Sequence, residues 1–404
     1  MQNDDAAAAI ARTDDPSPYW AASQQDRAVL RLPGTNRARP PEDTWAMARR
    51  AAEQVGVTRI ADITRLDTIG IPTFQAIRPL SRTLAVSQGK GVTAELARLS
   101  AVMESVETWH VEQPVESVLT AAPRDVGREL GRELGYDVTA LAPSEPSVLH
   151  DGLPLEWTAA RSLVDGAPTL VPVDVVRLTL VEHAGWNPPA FFESTNGLAS
   201  GNTLVEAALH ALCEVIERDA MTAAVKAGGE LGVRVDPRTS GSAVAEELCS
   251  LIERAGVTLE VRLVPSPTGL PCFLSWVACH DYPAAMFGFG CHVNPSIALT
   301  RAVTEAAQAR LAYISGARDD LQDDFDQVDV GRLSRDRGPA ADLGDLIDRP
   351  AERDGLVDDL RYVVQRAAQA FSNPPLLVDL TREEIGVPVV KVVAPGSRVC
   401  PEVL

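Results

Sequence analysis

The sequence alternates short apolar runs with longer amphipathic segments, a pattern that predicts a mixture of strands and helices. Strand-like runs at 59–63 and 72–77 follow a predicted helix over 42–55, and an apolar run at 387–393 predicts a final buried strand. No internal repeat with the period of a solenoid occurs. The pattern therefore predicts an α+β or α/β architecture.

The segment 94–111 predicts a helix with a polar stripe beside its apolar face. At about 100° per residue, Ser100, Glu104 and Glu107 fall within about 60° of one another. Two carboxylates beside a hydroxyl can hold a divalent cation by oxygen ligation, and their mutual repulsion is unfavourable without one. A solvent-exposed polar face is the alternative interpretation.

A second helix is predicted over 202–221, with Asn202 as its N-cap. A solvated helix face usually mixes Lys with Glu, yet the polar face of this helix has no Lys. This clustering of like charge favours a cation site. The polar face carries Glu206, His210, Cys213, Glu214 and Glu217.

A third helix, predicted over 300–313, aligns Arg301, Glu305 and Gln308 within about 60°. An arginine beside acids suits a metal-bound phosphate, because the guanidinium can hold phosphate oxygens while magnesium bridges them to carboxylates. The three helices together therefore indicate a site for a cation and a phosphate.

Motifs for other kinds of site are incomplete. Gly89-Lys90-Gly91 lacks the earlier Gly and the following Ser or Thr of a P-loop, and Phe287-Gly288-Phe289-Gly290 is too short for a dinucleotide fingerprint. The Cys and His residues between Cys272 and His292 lack a close CxxC pair, so we expect packed core atoms and not a zinc site. The hydrolase motifs GxSxG and HExxH do not occur.

Composition narrows the class of protein. The 404 residues include 37 Lys and Arg against 56 Asp and Glu, and the resulting net charge of −19 disfavours nucleic-acid binding. Six cysteines are too few for a disulfide scaffold, and the N-terminus lacks the basic and apolar regions of a signal peptide. No apolar stretch is long enough to span a membrane. We therefore expect a reduced, cytoplasmic protein that binds neither nucleic acid nor membrane.

Polar segments suggest the domain organisation. Residues 1–33 predict a mobile N-terminal arm in front of one domain over 34–404. Residues 121–150 are rich in Pro, Gly and charge and predict a small lobe or insertion. The acid-rich residues 319–350 predict a surface loop or linker.

Taken together, the three helical motifs resemble those of the YcaO superfamily. They are SxxxExxE from Ser100 to Glu107, NxxxExxxxxxxExxER from Asn202 to Arg218, and RxxxExxQ from Arg301 to Gln308. The resemblance covers about residues 34–395. It implies an α+β fold of mixed sheets flanked by helices, with a site for ATP and magnesium between them and no Walker motif.

The resemblance also implies roles for individual residues, with ATP and Mg²⁺ as cofactors. It implies catalytic roles for Glu217, Arg218 and Arg301. It implies nucleotide contacts for Arg37, Thr44, Lys90, Ser100, Glu104, Asn202, Glu206, Arg218, Arg301, Glu305 and Gln308. It implies magnesium ligation by Glu104, Glu107, Glu206, Glu214 and Glu217.

The activity that the resemblance implies is ATP-dependent activation of a backbone amide in a ribosomally made precursor peptide. A Cys, Ser or Thr side chain as nucleophile would give an azoline, a sulfide would give a thioamide, and an amine would give an amidine. Azoline-forming members commonly end in a proline-rich PxPxP motif, whereas this chain ends in Val399-Cys400-Pro401-Glu402-Val403-Leu404. That departure favours another nucleophile.

Four segments, at 34–37, 56–62, 66–72 and 86–91, resemble members that work beside a TfuA-like partner protein. Such pairs are associated with thioamide formation, so we expect a thioamide-forming enzyme, with homodimers common in the family. The alternatives are azoline or amidine formation, a noncatalytic peptide-binding scaffold, and a small-molecule kinase or ligase.

Overall fold

The computed structural model describes residues 29–143, 147–178, 190–227, 231–280, 282–318, 339–347 and 353–400. The chain divides into two compact units, and each is described by itself. The first unit is built from described residues within 106–219 and 353–400, and the second from those within 30–105 and 220–347. Of the predicted N-terminal arm, residues 1–28 lie outside the described residues.

Short strands make up much of both units. In chain order the strands of the described residues are β1 (Leu30–Leu32), β2 (Thr35–Arg37), β3 (Arg59–Asp62), β4 (Thr73–Ile77), β5 (Val86–Lys90), β6 (Leu119–Ala121), β7 (Leu155–Ser162), β8 (Pro168–Pro172), β9 (Leu198–Ser200), β10 (Val233–Asp236), β11 (Thr258–Val264), β12 (Cys272–Cys279), β13 (Tyr282–Cys291), β14 (Ala341–Asp342), β15 (Leu376–Asp379) and β16 (Val389–Val393).

The α-helices differ widely in length. Within the described ranges they are α1 (Pro41–Gln54), α2 (Ala94–Glu112), α3 (Pro123–Leu130), α4 (Leu204–Lys226), α5 (Ala243–Arg254), α6 (Pro295–Ser315), α7 (Leu343–Leu346) and α8 (Leu356–Phe371). The three longest, α2, α4 and α6, carry the motifs singled out in the sequence.

The second unit contains three sheets. Strands β1 and β2 form a hairpin, and β3, β4 and β5 form an antiparallel sheet in that order. The largest sheet has the order β13-β12-β11-β10-β14 and is antiparallel except for the pairing of β10 with β14. Helices α5 and α6 contribute to its core, where Leu248, Phe273 and Leu299 are almost fully buried. Removal of this apolar surface from water is the main stabilising contribution.

The first unit is built around one antiparallel sheet with the order β6-β7-β15-β16-β9, in which β8 also pairs with β7. Its core contains Trp157 and Phe191, both 0% exposed. The indole Nε1 of Trp157 donates a hydrogen bond to the carbonyl oxygen of Ala121 at 2.9 Å, so the buried polar atom is satisfied. Val126 and Val138, within the predicted lobe at 121–150, pack into the same core.

The hydrophobic pattern predicted the main elements well, and the α+β class is confirmed. The helix predicted over 42–55 is α1, and the strands predicted at 59–63 and 72–77 are β3 and β4. The final predicted strand, 387–393, is β16. These segments were predictable because their apolar spacing matches the period of the element they form.

The predicted N-cap of the second motif helix was wrong. Helix α4 begins at Leu204, and Thr203 Oγ1 accepts a hydrogen bond from the backbone N–H of Glu206 at 3.2 Å. Thr203 is therefore the residue that caps the helix. The Asn202 side chain instead donates to both carboxylate oxygens of Glu206, each at 3.2 Å.

The acid-rich segment predicted as a surface loop at 319–350 lies partly outside the described residues, at 319–338 and 348–350. Its described part forms regular structure. Strand β14 pairs with β10 in parallel, Leu343 is buried, and Leu343 N–H donates to Thr239 Oγ1 at 2.9 Å. This part of the segment therefore belongs to a sheet, which its composition did not indicate.

Candidate functional site

Helix α6 lies very close to strand β13, and two glycines make this possible. A Cβ atom at Gly288 would overlap the backbone of Ala302 and Ala306, and one at Gly290 would overlap the backbone of Ala298. The Phe-Gly-Phe-Gly run therefore serves helix packing, which agrees with its failure to match a dinucleotide motif. The close approach also brings the polar stripe of α6 to the strand.

Glu305 of the α6 stripe joins two strands of the second unit. Its Oε2 forms an ion pair with Lys90 Nζ of β5 at 2.5 Å, and its Oε1 accepts a hydrogen bond from Phe289 N–H of β13 at 3.3 Å. Both side chains of the ion pair are about one-fifth exposed. Two predicted nucleotide contacts, Lys90 and Glu305, are therefore brought together.

Glu104 lies in the same electrostatic environment. Burial raises the pKa of its carboxyl from 4.5 to about 7, and the repulsion of Glu305 adds to this effect. Arg318, Lys90 and the backbone of Gln88 oppose the rise. A carboxyl whose ionised form is so poorly stabilised gains from a further cation, in agreement with its predicted role as a magnesium ligand.

Arg301 begins the α6 stripe and lies near two other basic groups. Burial lowers the pKa of His292 to about 3, and the charges of Arg301 and Arg37 lower it further. The backbone N–H of Asn294 donates to His292 Nδ1 at 2.9 Å, so the neutral ring carries its proton on Nε2. The sequence analysis missed His292 as a site residue, although it lies only nine positions before Arg301.

Two polar atoms of the α6 stripe fit a bound ligand. Arg301 Nε and Gln308 Oε1 are buried and make no hydrogen bond to any described residue. Burial of such atoms is unfavourable unless a partner satisfies them. A donor and an acceptor held in this state suit a nucleotide, whose phosphates accept and whose hydroxyls and amino group donate hydrogen bonds.

In the first unit, the predicted polar face of α4 is largely buried. Glu206 is 6% exposed, Glu217 is 2% exposed and Asn202 is 4% exposed. Carboxylates are almost never this buried unless they are paired or bound to a metal. A solvated helix face therefore does not describe this surface.

Two further predicted glutamates of the first unit have defined surroundings. Glu107 Oε1 accepts hydrogen bonds from the backbone N–H of Ser200 at 2.7 Å and from its hydroxyl at 2.6 Å. Glu214 is half-buried and lies near the Lys391 ammonium, whose charge it stabilises. Burial nevertheless lowers the pKa of Lys391 to about 8.

Three other predicted site residues lie on helices α1, α2 and α4. The Thr44 hydroxyl donates to Pro40 O in the first turn of α1 at 3.0 Å, while Ser100 on α2 and Arg218 on α4 are half-buried. Within each unit taken by itself, the described residues bring no three His, Cys, Asp or Glu side chains close enough together to hold a metal ion. The five-glutamate magnesium set therefore stays a prediction.

The cysteines are packed side chains. All six are free, and five of them are buried. Strand β12 is buried along nearly its whole length, which explains why Cys272 sits in the core. None of the helices in the described ranges is both long and apolar enough to cross a membrane.

Residues 88–398 match the family model described as YcaO cyclodehydratase, ATP- and Mg²⁺-binding. The chain belongs to the YcaO family, and it is an ATP- and magnesium-dependent peptide-modifying enzyme of that type. The predicted family, enzyme class and cofactors are confirmed.

Relatives and solved structures extend the match over almost the whole chain. An uncharacterized protein of Mycobacterium tuberculosis is 37% identical over 94% of this chain and 87% of its own length. An uncharacterized protein in the tfuA 3′ region of Rhizobium leguminosarum bv. trifolii is 34% identical over 90% of this chain and 89% of its own. The structure of YcaO from Methanopyrus kandleri, bound with AMPPCP and Mg²⁺, is 26% identical with a TM-score of 0.69, and covers 91% of this chain and 94% of that one.

Proposed function

We propose that this enzyme forms thioamides in a ribosomally made precursor peptide, together with a TfuA-like partner protein that delivers sulfur. The observation that carries the proposal is the 34% identical relative whose name places it in a tfuA 3′ region. The segments at 34–37 and 86–91, which resemble TfuA-paired members, support it further.

The proposed reaction exchanges one oxygen for one sulfur. Hydrosulfide adds to the carbonyl carbon of a backbone amide, and the amide oxygen takes the γ-phosphoryl group of ATP. The C–O bond then breaks and phosphate leaves. The net change converts the amide, HS⁻ and ATP into the thioamide, ADP and hydrogen phosphate, and the proton of hydrosulfide ends on the phosphate.

The residues of the chain supply charge and orientation for this reaction. Arg301, with Arg37 and His292 nearby, would hold phosphate oxygens, and Arg218 would stabilise negative charge as the phosphoryl group transfers. Glu104, Glu107, Glu206, Glu214 and Glu217 would hold magnesium, which neutralises phosphate charge when bound. Phosphoryl transfer of this kind needs no covalent nucleophile from the enzyme.

Reconstitution tests the proposal. The protein is incubated with ATP, magnesium, the TfuA-like partner, sulfide and the precursor peptide, and the peptide is analysed by mass spectrometry. We expect a mass change equal to replacement of one oxygen by sulfur. Loss of water would instead show azoline formation, which the cyclodehydratase description of the family makes the second candidate. ADP release without precursor peptide would indicate a small-molecule kinase.

Site variants test the assignment of residues. Glu217→Gln and Arg218→Ala should each abolish ATP turnover, because the proposal gives both residues a role in phosphoryl transfer. Glu53→Gln is the matched control, since the Glu53 side chain is 71% exposed and forms a surface ion pair with Arg49. Turnover retained in both site variants would contradict the assignment.

A further inference from the structure

The first unit contains a cavity of about 60 Å³ beside strand β16. Its apolar lining residues include Leu141, Phe192 and Val215. Two of its polar lining residues, Lys391 and Asn196, have hydrogen-bonding capacity that no described residue uses. The space is called the Lys391 cavity below.

Lys391 is 3% exposed, yet its ammonium has a single hydrogen bond within the described part of the chain, to Ser194 O at 2.6 Å. An ammonium group carries three donors, so two are left for another acceptor. A buried ammonium is unfavourable unless its donors and its charge are satisfied. Glu214 supplies part of that charge, and the two remaining donors favour a further acceptor, with an anion the best match, in the cavity that Lys391 lines.

Asn196 supplies a hydrogen-bond acceptor, in contrast to the donors of Lys391. Its Oδ1 is buried and accepts no hydrogen bond from any described residue, while its backbone N–H donates to Ser194 Oγ at 3.3 Å. The cavity thus offers donors on a cation and one neutral acceptor. A ligand that satisfies both residues is an anion that accepts hydrogen bonds from Lys391 and also donates one hydrogen bond to Asn196.

Size and charge type restrict this ligand further. A water molecule needs about 10–15 Å³ of such space, so 60 Å³ suits a ligand of a few non-hydrogen atoms. The planar fork of arginine favours bidentate binding of carboxylate or phosphate, whereas the ammonium of lysine acts as a compact point charge that needs no such geometry. Lysine is rare in this chain, since only three of its 37 basic residues are Lys. A small, nearly spherical anion is therefore the best match.

We propose that the Lys391 cavity binds hydrosulfide, a small polarisable anion that accepts from the ammonium, donates its S–H to Asn196 and tolerates apolar walls. This inference rests on the proposed function, because hydrosulfide is the nucleophile of that reaction. The cavity lies near one predicted magnesium ligand, since Val215 lines it from helix α4 and the neighbouring Glu214 interacts with the charge of Lys391. Sulfur would be held beside the helix that carries predicted magnesium ligands.

Glu214 acts on Lys391 with the opposite charge and would reduce anion binding in the free protein. In the proposed function this carboxylate is a magnesium ligand. Anion binding should therefore be strongest when magnesium and a nucleotide analogue are present.

Bromide is the probe for the test, because it is a small anion with measurable anomalous scattering. Crystals of the full chain, grown with magnesium acetate and a nonhydrolysable ATP analogue, are soaked in bromide. We expect an anomalous peak at Lys391 Nζ in the wild type and in Lys226→Met, which removes an exposed lysine. The peak should be absent in Lys391→Met and should disappear when hydrosulfide competes. No peak at Lys391 in the wild type, or an unchanged peak in Lys391→Met, would overturn the proposal.

Thermal unfolding in solution tests the proposal for any variant that fails to crystallise. Hydrosulfide should raise the thermal unfolding midpoint of the wild type and of Lys226→Met, but not that of Lys391→Met or Asn196→Ala. In the reconstituted reaction, Lys391→Met should raise the sulfide concentration for half-maximal rate by about tenfold, as expected for loss of a charged hydrogen bond, while the dependence on ATP stays unchanged.

The anion measurements need neither precursor peptide nor partner. A peptide that gains no sulfur, beside a bromide peak at Lys391, would refute the proposed function but not the anion site. Thioamide formation without any anion at Lys391 would refute the anion site alone.

Discussion

Asp219 and Arg398 lie 179 positions apart in the sequence and are joined by three hydrogen bonds. The Asp219 carboxylate accepts from the backbone N–H, Nε and Nη2 of Arg398, each at 2.8 Å. Asp219 is 1% exposed, so this arginine provides the charge that it needs. The pair fixes the segment from Ser397 to Val399, which forms one wall of the Lys391 cavity.

Asp219→Asn should destabilise the protein. The substitution keeps the size of the side chain but removes its charge and converts one acceptor oxygen into a donor that faces Arg398. Loss of charged hydrogen bonds to a buried group predicts a decrease in the free energy of unfolding of about 2 kcal/mol, measured by urea denaturation. Asp358→Asn is the control, because Asp358 pairs with Arg361 at an exposed site and should change stability by less than about 0.5 kcal/mol. Equal decreases in the free energy of unfolding would show that the buried Asp219 pair contributes no more to stability than the exposed Asp358 pair.

The low pKa of His292 predicts a pH dependence of stability. The folded pKa is about 3 and the ordinary pKa of histidine is 6.5, so between these values the unfolded state binds more protons and stability falls as the pH is lowered. His292→Asn keeps an acceptor for the Asn294 N–H but removes the titrating ring. Between pH 7 and pH 4.5 the variant should lose about 2 kcal/mol less stability than the wild type, measured by urea denaturation at each pH. Identical pH profiles would mean that folding does not lower the pKa of His292.

The raised pKa of Glu104 predicts a second pH dependence of stability, at higher pH than that of His292. Its folded pKa of about 7 lies above the ordinary value of 4.5, so its contribution to stability is present below pH 4.5 and is lost as the pH rises to 7. Glu104→Gln should therefore become more stable relative to the wild type by about 2 kcal/mol between pH 5 and pH 8 in metal-free buffer. Magnesium and ATP should reduce this difference in the wild type, since a cation stabilises the ionised carboxyl. A relative stability that does not change with pH would contradict the raised pKa.

The sequence predicted those parts of the molecule that depend on local spacing. Helices α2, α4 and α6 carry their polar stripes where the period of about 3.6 residues placed them, and the family resemblance assigned those stripes to ATP and magnesium. Buried strands such as β16 were equally predictable, because a short run of valines favours a buried strand.

Contacts between distant segments could not be predicted in this way. Nothing in the spacing relates Asp219 to Arg398, or indicates that Asn196 and Lys391 line the same cavity. Thr203 was overlooked as the helix cap because Asn202 and Thr203 are both good capping residues, and the position of the first helical turn decides between them. His292 carried a weak signal, as a histidine just before a capped helix that contains Arg301.

The ion pair between Lys90 and Glu305 allows a test of whether these two residues contribute to nucleotide binding. Within the described residues the Lys90 ammonium is engaged by Glu305, whose other oxygen accepts from Phe289 N–H. If Lys90 acts by positioning Glu305, then Lys90→Met and Glu305→Gln should each weaken binding of a nonhydrolysable ATP analogue by about tenfold, and the double variant should be no more than about twofold worse than either. Titration calorimetry with magnesium present measures all three affinities, and Arg49→Met, which breaks an exposed pair with Glu53, should leave the affinity unchanged. Additive losses in the double variant would show instead that Lys90 contacts the nucleotide by itself, because independent contacts contribute independent free energies.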